Sequence, residues 1–87
     1  MNSCPVCGYD GLDEAAFDDA RAPSYDICDC CGTQFGYDDA RTPHSVLRAK
    51  WITNGMPWDS RVVSAPPDWD PVEQLRRVVL AESCNAR

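Results

Sequence analysis

The chain has 87 residues and carries 8 basic against 14 acidic side chains, for a net charge of -6. Val, Ile, Leu and Phe make up about 17% of it, below the roughly 20% under which a strongly charged chain ordinarily stays disordered. Apolar burial alone does not offset the entropy of ordering such a backbone, so the six cysteines must supply the rest through a metal or disulfides. No run of 18 apolar residues occurs, so no membrane-spanning helix is expected. The start, Met1-Asn2-Ser3-Cys4-Pro5, has neither a basic n-region nor an apolar h-region, and the expectation is a cytoplasmic protein with reduced thiols.

The first element is a metal turn, Cys4-Pro5-Val6-Cys7-Gly8, and its counterpart is Cys28-Asp29-Cys30-Cys31-Gly32. Together they make the frame C-x2-C-x20-C-x2-C, close to the spacing of a four-thiolate zinc site. A Gly follows the second Cys of each pair because the chain reverses there, often with positive φ, and backbone amides approach the sulfurs. Cys4, Cys7, Cys28 and Cys31 are therefore the expected metal ligands. Zinc is the expected ion and iron the alternative, since four thiolates accept either. Four ligands leave no open position, so the site is structural and an enzyme is not expected. The metal would contribute on the order of 10 kcal/mol to folding, and the N-terminal half is expected to unfold without it. Cys30 is expected to be a small buried or half-exposed hydrophobe, and Cys84 a free thiol.

Short strands are expected over residues 9–12, 24–27 and 33–37, running into and out of the two turns. Tyr25 and Ile27 would share one face, as would Phe35 and Tyr37. Residues 13–23 read as an exposed acidic loop, and Asp38 and Asp39 as a solvated turn. A first helix is expected over 43–54, capped by Thr42, opened by Pro43 and ended by Gly55, with Leu47 and Trp51 inward and His44 exposed. Residues 56–70 should run extended, with Trp58 and Trp69 plugging the gap between ribbon and helices and 61–63 adding an edge strand. A second helix is expected from a cap at Asp70 to about Glu82. Val72, Leu75, Val78 and Val79 form its apolar face, and Glu73 pairs with Arg77. The fold class is thus small α+β: a zinc-ribbon-like half with short antiparallel strands over 1–40, and two helices packed on it within 41–87, forming a single domain over 1–87.

The pairing of Cys4-Pro-Val-Cys-Gly-Tyr with Ser24-Tyr-Asp-Ile-Cys-Asp-Cys-Cys-Gly resembles small bacterial cysteine-rich CPCC domains. The resemblance covers about the first 40 residues. It implies the same four ligands and a small cytosolic accessory or toxin-immunity role; Asp29 stands where the family has Pro. The first turn is also similar to that of rubredoxins, which implies iron and electron transfer.

Three functions compete. Charge is split, with residues 1–40 carrying -8 and 41–87 carrying +2. That split suits a chain that meets a protein partner through one end, although acids also simply solubilise a small domain. An iron electron carrier is the second reading. Nucleic-acid binding is the third, and it requires Arg41, Arg48, Lys50, Arg61, Arg76 and Arg77 to converge on one face against an acidic balance. The reading adopted is a non-enzymatic zinc-binding protein-interaction module.

Overall fold

The computed structural model describes residues 2–85, with side chains through Val79. It contains two helices, α1 (His44–Thr53) and α2 (Pro71–Asn85). Among the described residues the β-structure consists of isolated antiparallel bridges, Asn2↔Leu12, Phe17↔Pro23 and Ile27↔Gln34. The short strands expected around the metal turns therefore contract to one bridge each. The reason is local. Tyr25 sits at φ 61 and Gly36 at φ 89, so the extended run breaks within three residues of the Ile27↔Gln34 pair on both sides. Tyr37 and Asp38 then fold back onto the Gln34 carbonyl. Phe35 is fully buried while Tyr25, Ile27 and Tyr37 are all exposed, so the expected pairing of Phe35 and Tyr37 on one face does not occur. Residues 61–63 form a bend rather than an edge strand.

The core is built on sulfur. Cys4, Val6, Cys7, Cys28, Cys30 and Phe35 are the largest fully buried side chains, joined by Leu12, Ala16 and Trp51. Residues 13–23 are more than an acidic loop. Ala16 is 5% exposed and Phe17 packs edge-on against Phe35, with ring centroids 6.3 Å apart. Asp18 closes this loop by accepting from the amides of Ala20 and Ala22, both at 2.9 Å. An aspartate that satisfies backbone donors two and four residues on is a common way of fixing a tight reversal.

Helix α1 starts one residue later than expected. Pro43 occupies the cap position with no side-chain cap bond, so Thr42 does not cap it. Gly55, at φ 94, terminates it as expected. Its inward face carries Trp51 and, unexpectedly, Arg48, which is 7% exposed. Arg48 Nε donates to the Val6 carbonyl at 2.6 Å and Nη2 to the Pro5 carbonyl at 2.8 Å. Both acceptors lie inside the first metal turn, so a guanidinium braces that turn from outside. Trp51 Nε1 donates to the Pro57 carbonyl at 2.9 Å, tying the extended segment to the helix.

Helix α2 has the expected cap, with Asp70 Oδ1 accepting from the amides of Val72 and Glu73 at 3.0 and 3.2 Å. It runs three residues past the expected end, to Asn85. Of its expected apolar face, Leu75 packs on the core and Val78 lies against Gly8, but Val72 and Val79 are exposed, and Gln74, at 2% exposure, is driven inward beside them. Arg77 pairs with Asp10 at 3.8 Å rather than with Glu73, which meets Arg76 at 3.6 Å. Trp58 and Trp69 do fill the gap between the turns and the helix. Tyr9, Trp58 and Trp69 form a chain of edge-to-face contacts, with centroids 5.2 and 5.3 Å apart. Cys84, expected as a free thiol, lies outside the described side chains. No helix among the described residues is long and apolar enough to cross a membrane.

Replacing Arg48 by Met removes the charge-assisted hydrogen bonds that the carbonyls of Pro5 and Val6 accept. The expected loss is about 3 kcal/mol in urea unfolding of the metal-loaded protein. Arg48→Lys should recover only part of it, because an ammonium cannot reproduce the planar fork that meets two carbonyls at once.

Candidate metal centre

The four cysteines of the C-x2-C pairs converge. Cys4, Cys7, Cys28 and Cys31 offer sulfurs that all lie within 4.8 Å of one another. Two cross-turn approaches, Cys4 Sγ to Cys31 Sγ and Cys7 Sγ to Cys28 Sγ, are each 3.7 Å. A tetrahedral ion held at about 2.3 Å from each sulfur has sulfur–sulfur edges of roughly 3.8 Å. The donor set and its spacing therefore fit a tetrahedral thiolate-bound cation, and these four residues can hold a metal ion.

The turns that present the sulfurs have the same design. Gly8 N donates to the Cys4 carbonyl and Gly32 N to the Cys28 carbonyl, each at 2.9 Å, and the two glycines have φ 87 and 78. The reversal after each second cysteine is thus made by a residue in the left-handed region, as expected from the sequence. Gly8 is also required by its neighbours. A Cβ on Gly8 would overlap Val78 of α2 and lie 2.9 Å from the Gln74 carbonyl oxygen. One on Gly32 would lie 2.7 Å from the Asp59 carboxyl carbon. Each turn is thus covered by a segment of the C-terminal half. The amides of Asp59 and Ser60 complete the second contact by donating to the carbonyls of Asp29 and Cys30 at 2.8–3.2 Å.

Gln74 braces the first turn and the spare thiol together. Its Nε2 donates to the Cys7 carbonyl at 3.0 Å and to Cys30 Sγ at 3.4 Å, while its Oε1 accepts from Trp69 Nε1 at 3.0 Å. Cys30 is 0% exposed and packs as the buried small residue expected of it. Amide support also reaches a ligand sulfur directly, Val6 N donating to Cys4 Sγ at 3.4 Å.

His44 and Asp39 are corrected by the structure. Their side chains pair, Nε2 to Oδ2 at 2.7 Å, with the Asp39 side chain only 3% exposed. Asp39 Oδ1 also accepts from the Gly36 amide at 2.6 Å. His44 is half-buried against Phe17, and Asp39 is a bracing group rather than a solvated turn residue. Neither is among the clustered ligands.

Without a cation the sulfurs compete for protons. Hydrogen-bond contact with Cys28, and then Cys30, holds the Cys7 thiol far above its ordinary range. Contact with Cys31 and Cys4 does the same to Cys28. Contact with Cys28 and Cys4 holds Cys31 well below that range. A metal binds thiolates and must displace the protons these thiols hold, so metal affinity rises with pH and is lost on acidification. Each displaced proton gives up to about tenfold per pH unit between pH 6 and 8, measurable by competition with a chromophoric chelator. A flat profile would contradict this.

No protein-family description matches the chain, and no solved structure matches it. Two Bacillus subtilis (strain 168) proteins are similar to it. YoaQ is 35% identical over 82 residues, taking in 76% of this chain and 65% of that protein. YozI is 31% identical over 73 residues, taking in 64% of this chain and 60% of that protein. The chain thus spans less than two thirds of the length of either relative. Both bear the description "uncharacterized", so the similarity brings relatives but no activity.

Proposed function

We propose that Cys4, Cys7, Cys28 and Cys31 bind one structural zinc ion and that the protein is a non-enzymatic protein-interaction module of the bacterial CPCC, zinc-ribbon-like kind. The observation that carries the zinc reading is the four-sulfur cluster itself, closed within 4.8 Å. Four thiolates fill a tetrahedral ion, which leaves no position for a substrate or an activated water. Zinc is the default for a closed thiolate site with no redox demand upon it, and iron at the same sulfurs would make the protein an electron carrier instead.

The interaction reading draws on the surface. Tyr25, Ile27 and Tyr37 are 60%, 57% and 72% exposed, all close to the second metal turn. Exposed aromatics flanked by acids suit docking of a protein better than binding of a polyanion. The nucleic-acid reading loses support because Arg48, one of the six bases it needs, is buried against the first turn. An accessory or immunity-type role in the cytoplasm follows from the CPCC resemblance and belongs to this proposal.

Metal analysis with an absorption spectrum, on protein produced with both zinc and iron supplied, tests the first part. One zinc per chain without visible bands is expected, whereas one iron with thiolate charge-transfer bands overturns the zinc assignment. The interaction part predicts that a stoichiometric protein partner purified with the tagged chain is lost on the double change Tyr25→Ser and Tyr37→Ser while the metal content stays at one. Retention of nucleic acid in place of protein would contradict it.

A further inference from the structure

The four ligand sulfurs are not equally enclosed. Cys4 is 1% exposed and Cys7 and Cys28 are 0% exposed. Cys31 alone of the four is half-buried. It lines a cleft of about 410 Å³ beside Gly32, Thr33, Asp38, Lys50 and Asp59, and its Sγ hydrogen-bonds with Thr33 Oγ1 at 3.3 Å. The charged groups of the cleft are Asp38 and Asp59 against Lys50, and zinc held by four thiolates carries two further negative charges. Such a cleft disfavours anionic reagents and admits small neutral ones.

We propose that Cys31 is a modification site, the point at which small uncharged peroxides attack the metal centre, with Cys4 as the thiol that resolves the product. The inference rests on the zinc reading above. The Cys31 thiolate displaces hydroxide from hydrogen peroxide, breaking the O–O bond and leaving a sulfenic acid on Cys31. The Cys4 thiolate, 3.7 Å across the site, then attacks that sulfur, forms the Cys4–Cys31 disulfide and expels a second hydroxide. Two thiolates lose two electrons in all, and the peroxide gains them. The ion, left with Cys7 and Cys28, is released. Cys30 is the competing resolver by sequence, but it is sealed from solvent and its sulfur accepts from Gln74.

The test uses the zinc-loaded full chain, with zinc assayed on the same sample. Under limiting neutral iodoacetamide, site-resolved mass spectrometry should show Cys31 alkylated at least about tenfold faster than Cys4, Cys7, Cys28 or Cys30. Anionic iodoacetate should react more slowly at Cys31 and speed up in Asp59→Asn. Hydrogen peroxide should release one zinc per Cys4–Cys31 disulfide formed. Equal labelling of Cys4, Cys7, Cys28, Cys30 and Cys31 in zinc-loaded protein, first labelling at Cys30 among these, or a disulfide between Cys30 and Cys31 would overturn this inference and leave the zinc reading standing. A sample that holds no zinc overturns the zinc reading, and this inference with it.

Discussion

Four thiols drawn to within 4.8 Å of one another are an electrostatic liability until a cation joins them. Ionised together they repel, and kept protonated they fill the centre of the protein with weak donors and acceptors. A tetrahedral cation bound there would convert that repulsion into the strongest set of bonds in the fold. The rest of the molecule is arranged in consequence. The two turns that carry the sulfurs meet across the site, and nearly every long-range polar contact ends on one of them. Arg48 holds the first from α1, Gln74 holds it from α2, and the amides of Asp59 and Ser60 hold the second.

This arrangement explains how so few large apolar residues are enough. Four of the nine residues that make up the buried apolar core are cysteines, so sulfur occupies space that leucine and isoleucine take in a conventional domain. The remaining apolar groups have a narrower task. Phe35 and Phe17 seal one flank, and Tyr9, Trp58 and Trp69 seal the other through edge-to-face contacts that fix orientation as well as exclude water. Hydrogen-bonded ring nitrogens on Trp51, Trp58 and Trp69 tie the proline-rich segment down without regular secondary structure.

What was legible in the sequence was the chemistry with fixed spacing. The two C-x2-C-G turns, the glycine at positive φ in each, the Asp70 cap and the inward Trp51 all follow from local rules, and each stands as expected. The residues that escaped were polar ones recruited to the interior by the metal turns. Gln74 lies on the same α2 face as Leu75 and Val78, and Arg48 lies one helical turn before Trp51. Either could have been suspected from a polar residue falling on an inward-facing position. The reason they are inward is that the turns leave backbone carbonyls at Pro5, Val6 and Cys7 that need donors, and hydrophobic periodicity carries no information about that demand. The strands were overread for a related reason. Alternation around Ile27 and Gln34 resembles a hairpin, but the positive φ of Tyr25 and the Asp39 brace on Gly36 end it after one bridge.

The central claim is that the metal holds the fold together. Its most direct test is circular dichroism and near-ultraviolet fluorescence of the zinc-loaded protein during titration with a strong chelator under reducing conditions. The account predicts cooperative loss of helix and tryptophan signals as the ion is withdrawn, with recovery on adding zinc back, because a structural zinc would contribute on the order of 10 kcal/mol to folding. Full retention of both signals in metal-free protein with reduced cysteines would contradict it.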